Sequence, residues 1–530
     1  MAYSDEAKSA PRKAGRREWI GLAVIALPCL LYSMDLTVLN LALPQITADL
    51  NPSATELLWI VDIYGFMIAG MLITMGTLGD RIGRRKLLMI GAFAFGMASI
   101  LAAFAWSAGM LIVARALLGL AAATLAPSTL SLISNMFPDP KERTFAIGVW
   151  ISSFSAGGAI GPVIGGLLLT WFWWGSVFLI AVPVMVLLLA VAPFLLPEYK
   201  DDEAGRIDLV SAALALAAVL ATIYGIKHAA SYAFDAQAIV AILVGLAIGV
   251  VFARRQRRLA APLIDLQMFR SLAFSASLGI NILGFFAAFG IFLLTAQYLQ
   301  LVLGLSPLVA GLWSAPSSIG FIVGSLLAPK LLGSMRPAYV MAGGYAVTAI
   351  SFVIMAQAVA AGSLYLLVAS YVLMSFGLAP IFTLSTDLII GTVPPQRAGT
   401  AAGLSETSAE FGGALGIAIL GSIVTALYAA SMAGFDGASA GGGLSGEALA
   451  NAKGTIGGAV AEAMRAGGAA GELLLDEARQ AYAGAFRAVT LVCAVVSLLA
   501  GLVALLVLGR IKPDAGESCE DKDCVAEAVV

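Results

Sequence analysis

The stretch LSETSAEFGGALG, residues 404–416, carries Glu406 and Glu410 four positions apart and therefore on one face of a helix. The apolar run it opens continues to about residue 428, long enough to cross a bilayer. A charged carboxylate at the middle of a membrane helix costs ~2.5–3.5 kcal/mol even on insertion-derived scales. Such a group has a chemical use. Desolvation favours the neutral acid and an arriving cation favours the anion, so one carboxyl group can exchange a proton for a cation without phosphate or metal. Two or more acids would let a divalent cation bind with its charges separately compensated. Asp35, Asp62, Arg115 and Asp387 also stand within or at the ends of apolar runs. Arginine keeps its charge at physiological pH, so Arg115 must face a carboxylate, water or backbone carbonyls. Each residue also has a plainer reading: a structural ion pair for Arg115, an interfacial charge for Asp387, and a helix-start carboxylate favoured by the dipole for Glu406. For Glu410, about 6 Å deeper at 1.5 Å per residue, the plainer reading weakens.

The elements that must position these groups are membrane spans. Of 530 residues, 60% are hydrophobic and only 12% charged, roughly half the charged share of a soluble protein. The near-neutral net charge argues against a nucleic-acid partner. One histidine, His228, leaves no basis for a His-rich metal or catalytic cluster. Of the four cysteines, Cys29 and Cys493 lie in apolar runs and Cys519 and Cys524 in a polar tail. No nucleotide-binding loop or nucleophile triad is visible, so neither an enzyme nor ATP coupling is expected, and no cofactor.

Runs of about 20 apolar residues give fourteen spans, an all-α integral membrane protein. Basic residues gather in the N-terminal tail (Lys8, Arg12, Lys13, Arg16, Arg17) and in alternate loops at 80–86, 139–143, 254–258, 330–336 and 397. Both termini are therefore expected to be cytoplasmic. The expected organisation is a tail (1–18), a six-helix bundle (19–200), two extra helices (201–258), a second six-helix bundle (259–509) and a tail (510–530). The segment 429–481 falls outside as a Gly/Ala-rich loop, either a surface-lying hairpin or disordered, with a stretch around GELLLDEARQAYAGAF able to form a short helix.

An internal repeat supports the two bundles. At an offset of 255, Gly148, Gly157, Gly158, Gly161 and Gly166 of span 5 coincide with Gly403, Gly412, Gly413, Gly416 and Gly421 of span 13. Arg143 and Arg397 occupy similar loops upstream. Parallel six-helix halves with a site near the midplane are the layout of major facilitator transporters.

Four motifs sharpen that resemblance: LYSMDLTVLNLALPQI (31–46), GTLGDRIGRRK (76–86), LIVARALLGLAAA (111–123) and GGAIGPVIGG (157–166). Together with WIVDIYGF (59–66) and PLIDLQMF (262–269), they resemble the fourteen-helix drug/proton antiporters of the major facilitator superfamily, of the quaternary-ammonium and methyl viologen efflux type. The resemblance implies a bacterial inner-membrane pump, driven by the proton gradient, that exports lipophilic organic cations such as quaternary ammonium compounds, dyes and biguanide biocides. It implies that Asp80, Arg81 and Arg84 belong to a cytoplasmic gate, with Asp80 facing a helix N-terminus or basic partner in the other half. Gly157, Gly161 and Pro162 mark an exporter, beside their role in close packing and kinking. Arg115 is tied to proton coupling, with Asp35 as partner. Trp59, Tyr64, Trp150, Phe154, Tyr298 and Phe411 form a pool of aromatic faces for cation–π contact. Span 10 lacks the acid some relatives carry, which leaves divalent handling open. The alternative is an exporter or proton-coupled transporter of a different small solute, since motifs report family more than cargo.

Overall fold

The computed structural model describes residues 13–200, 208–232, 236–259, 262–435 and 446–509. Residues 1–12 and 510–530, with Lys8, Arg12, Cys519 and Cys524, lie outside them. Every described span is helical. The first half comprises α1 (Arg16–Leu50), α2 (Ala54–Ile82), α3 (Arg84–Ala103), α4 (Ala108–Met136), α5 (Pro140–Trp171) and α6 (Ser176–Leu195). Two further helices follow, α7 (Leu209–Tyr232) and α8 (Ala236–Gln256). The second half comprises α9 (Leu272–Val302), α10 (Pro307–Leu332), α11 (Pro337–Ala360), α12 (Leu364–Gly391) and α13 (Ala398–Met432). Two short helices, α14 (Gly446–Gly454) and α15 (Ile456–Ala466), then lead to the last span, α16 (Gly468–Leu508). Among the described residues fourteen helices are long and apolar enough to cross a membrane.

Local chemistry sets the ends. Ser53 caps α2 and receives the reciprocal contact from Glu56. Asp139 accepts from the Lys141 and Glu142 amides while Pro140 opens α5. At the α2–α3 corner the chain turns through Gly83 at φ +109°, a conformation that side chains with a Cβ rarely adopt. Pro316 interrupts the α-helical hydrogen bonding of α10 after Ser314.

The repeat is visible in the packing. Gly157 sits so close to α1 that a Cβ there would stand 2.1 Å from the Leu30 carbonyl oxygen; at Gly416 a Cβ would stand 2.1 Å from that of Phe286 in α9. Thus α5 packs on α1 as α13 packs on α9. Gly148 and Gly403, also paired by the repeat, face the opposite half instead: Ser325 of α10 and Leu72 of α2. The halves therefore meet along two seams, α2 with α13 and α5 with α10. The basic loops gather at one end of both seams, called here the basic face.

Within the expected external segment, residues 446–454 and 456–466 form two short helices rather than a structureless loop. The segment GELLLDEARQ belongs to the first turns of α16, because Leu474, Ala478, Tyr482 and Phe486 repeat at helical spacing and are buried.

Candidate functional site

Midway along their lengths, α1 and α13 bring together the first-half and second-half charges. Arg115 of α4 is fully buried and ion-paired to Asp35 of α1. Its Nε donates to the Ile60 carbonyl at 3.2 Å, and its guanidinium lies 4.5 Å from the centre of the Tyr64 ring. Its Nη2 has no hydrogen-bond partner among the described residues, nor does the buried Tyr64 hydroxyl. Tyr64 in turn lies beside Tyr32, with ring centres 6.1 Å apart. The Tyr32 hydroxyl crosses between the halves and donates to Glu410 Oε1 at 2.9 Å. Glu406, one turn earlier on α13 and half-buried, lies within electrostatic reach of Cys29 and Tyr32. Phe154 meets Tyr32 edge-on at 5.5 Å and Trp150 at 4.8 Å, and Trp150 Nε1 donates to Thr129 Oγ1 at 2.9 Å. Asp35, Glu410, Arg115 and four aromatic rings thus form one connected cluster, with Glu406 beside it. Sequence reasoning missed Tyr32, whose partner is 378 positions away.

The other acids lie elsewhere. Asp62 shares the face of α2 that carries Trp59 and Phe66. Trp59 is exposed and edge-on to Phe66, which packs on Ile223 of α7. Tyr298 is buried against Phe486 between α9 and α16. Phe411 is half-buried in α13. A second aromatic group lies in the other half, where Phe285 stacks on Phe382 at 4.2 Å and Phe321 stands 6.0 Å from Phe382.

At the basic face both seams are closed by carboxylates. Asp80, the last turn of α2, lies at the N-terminus of α13, where Oδ1 accepts from the Gly399 amide (3.0 Å) and Oδ2 from the Thr400 amide (2.9 Å). A helix N-terminus favours an anion. Arg84 completes the arrangement: it is fully buried, donates to Asp80 Oδ1 through Nε and Nη2, and reaches the Pro395 carbonyl at 2.5 Å. Arg81 is half-buried in the same turn. On the other seam Asp387 of α12 accepts from Arg143 Nε at 2.7 Å and Thr144 Oγ1 at 2.6 Å, both in the first turns of α5. Arg143 was singled out by the repeat, but not as the partner of Asp387.

Helices arranged as two six-helix halves around such a seam define a membrane transporter. The chain matches the model of the Major Facilitator Superfamily over residues 25–417 and belongs to that superfamily. It is 40% identical to the multidrug efflux pump LfrA of Mycolicibacterium smegmatis, over 95% of this chain and 99% of that protein. It is 34% identical to the methyl viologen resistance protein SmvA of Salmonella typhimurium, over 88% of this chain and 93% of that protein. In fold it is similar to the human organic anion transporter MFSD10, with a TM-score of 0.62 at 14% identity over 92% of this chain and 99% of that one. The protein is a multi-pass membrane transporter of the drug-efflux kind, not an enzyme.

Proposed function

We propose that the protein exports lipophilic organic cations in exchange for protons, from the cytoplasm or inner leaflet across a bacterial inner membrane. In this reading both termini and the basic face are cytoplasmic. The observation that carries it is the Tyr32–Glu410 hydrogen bond between the halves, set among Tyr64, Phe154 and Trp150 and beside the Asp35–Arg115 pair. Aromatic faces and apolar walls hold a flat cation by cation–π attraction and burial, which impose few geometric demands and allow broad selectivity. Glu410 supplies the countercharge. A protonated Glu410 is neutral and tolerable in the membrane; the incoming cation stabilises the anion and the proton leaves. Re-protonation from the outer side then expels the cation. Glu406 and Asp35 are the further acids able to take part, and the ion pair with Asp35 balances the charge of the buried Arg115. Asp80 and Asp387 hold the cytoplasmic ends of the seams together, so opening inward breaks their contacts. Asp62 and the exposed Trp59 stand off this route.

The test is cation binding to the purified protein in unbuffered detergent solution. Addition of tetraphenylphosphonium should release protons in wild type, and Glu410→Gln should bind more weakly and release fewer. Binding without proton release would contradict the exchange.

A further inference from the structure

The proposed exchange depends on which way α13 faces. Ser405, Ser408, Gly412 and Gly416 recur at helical spacing and form the stripe of α13 that meets α9. Glu406 and Glu410 project about a third of a turn or more round the helix from that stripe, on the side of Tyr32. Much of the stripe is bare backbone. An added Cβ at Gly412 would stand 2.5 Å from the Ile282 carbonyl oxygen, and one at Gly416 2.1 Å from that of Phe286. Glycines bring helices close but offer no side chain to interlock, so they hold rotation about the axis weakly.

Asn281 of α9, 1% exposed, supplies direction at the same level. Its Nδ2 donates to the Ser405 carbonyl at 3.2 Å and to Ser408 Oγ at 2.9 Å, and Ser408 Oγ donates in turn to the Ser405 carbonyl at 2.7 Å. A carbonyl can only accept, which fixes the amide with its nitrogen toward α13. The other side is anchored too. Ser385 Oγ of α12 donates to Asn281 Oδ1 at 3.1 Å, and the Tyr345 hydroxyl of α11 donates to the neighbouring Ile280 carbonyl at 2.8 Å. The amide thus joins α13 to a point of α9 that two other helices of the second half hold. The repeat gives a contrast. Gly157 meets Leu30 as its mate Gly412 meets Ile282, so Asn281 stands where the first half has Cys29, a weak sulfur donor whose contacts with Ile25 and Thr129 are 3.6 Å long. Close glycine packing is common to both halves. The amide link is found in the half whose glycine-striped helix carries acids deep in its span, and α5 has none beyond Glu142.

We infer that Asn281 is a positioning residue: by fixing the rotation of α13 on α9 it holds Glu410 at the Tyr32 hydroxyl and turns Glu406 to the same side. The tolerance is small. A carboxylate at the helix periphery lies about 5–6 Å from the axis, so a rotation of about 10° moves it by about 1 Å. That is enough to take the 2.9 Å contact between Tyr32 and Glu410 out of hydrogen-bonding range. Buried hydrogen bonds to a carbonyl and a hydroxyl are directional and costly to leave unmade, which supplies the restraint that a glycine seam lacks. The inference rests on the proposed exchange at Glu410.

Equilibrium binding of tetraphenylphosphonium to the purified protein tests it, with Asn281→Leu, Tyr32→Phe and the double variant compared, and thermal unfolding as the check on folding. Tyr32→Phe should weaken binding about tenfold or more, the effect of losing a hydrogen bond to a charged group. Asn281→Leu should weaken it to a similar extent and the double variant no further, since both changes lose the same contact. Ser408→Ala keeps the bond to the Ser405 carbonyl and is safer for folding; it should weaken binding about threefold, again without adding to Tyr32→Phe. Ser385→Ala removes the bond toward α12 but leaves both bonds to α13, and should change binding less than Ser408→Ala does. Losses that add in the double variants, or variants that unfold more easily yet bind as wild type does, would overturn the inference and leave the exchange standing. So would a Ser385→Ala as damaging as Asn281→Leu, which would mark a general packing role. A wild type that does not bind tetraphenylphosphonium would remove the exchange, and the inference with it.

Discussion

The paired glycines of α5 and α13 give a graded series of substitutions whose outcomes differ sharply. At Gly157 an added Cβ would stand 2.1 Å from the Leu30 carbonyl oxygen, at Gly416 2.1 Å from that of Phe286, and at Gly412 2.5 Å from that of Ile282. Backbone oxygens cannot rotate aside, so the helices must separate by about 1 Å, an overpacking that typically costs ~1–3 kcal/mol. Alanine recovers up to ~1 kcal/mol of helix propensity. The net expectation for Gly157→Ala and Gly416→Ala is a loss of roughly 1–2 kcal/mol. Gly166 and Gly421 have nothing within 4 Å of an added Cβ, so alanine there should be neutral or slightly stabilising. Gly157→Ala has a second consequence, because Leu30 lies two residues before Tyr32 and moving that turn disturbs the bond to Glu410. The assay is thermal unfolding of detergent-purified protein, followed by ethidium efflux from cells. Equal destabilisation at Gly157 and Gly166, or a neutral Gly157→Ala, would refute the close-approach argument.

Three further outcomes follow from the same contacts. Tyr32→Phe keeps the ring but removes the donor to Glu410; a hydrogen bond to a charged group is worth ~1.5–3 kcal/mol, so ethidium transport should weaken by roughly ten- to a hundredfold without loss of protein. Unchanged transport would make that bond incidental. Asp387→Arg alone should leave the α5 seam open at the basic face and lower ethidium efflux, and pairing it with Arg143→Asp should restore that efflux. No rescue would mean that the contact depends on more than charge. The Arg255 and Ser211 hydrogen bonds hold Asp208 well below the usual carboxylate range. Its contribution is therefore complete above the unfolded value near 3.9 and fades only as pH falls through the lower folded value. The stability that Asp208 contributes should accordingly stay constant from pH 8 to pH 5, so Asp208→Asn should lower the thermal unfolding temperature of the purified protein equally at both, and an unequal loss would contradict this.

Much of this architecture could be read from local pattern, and the exceptions share one cause. Hydropathy marks spans because each crosses the membrane on its own composition, and the 255-residue repeat marks Gly157 with Gly412 and Gly161 with Gly416 because each pair packs against the equivalent helix of its own half. Acids inside apolar runs stand out for their cost in lipid. Contacts between halves leave no such trace. Tyr32 with Glu410 and Arg143 with Asp387 depend on how two bundles dock, and nothing within either helix encodes that register. Gln256, whose Oε1 accepts from the Leu263 and Ile264 amides, was equally hidden, since its partners are backbone groups of the next segment. The continuity of GELLLDEARQ with the last span was missed for another reason: the stretch reads as a short helix because it is too polar for a span, yet its apolar residues recur at helical spacing against the protein.

The central claim is that Glu410 couples proton and cation movement. Its most direct test is ethidium transport in everted membrane vesicles with an imposed pH gradient, wild type against Glu410→Gln. The account predicts gradient-dependent uptake by wild type that disappears in the mutant. Gradient-driven uptake that survives the substitution would contradict it and move the exchange to Asp35.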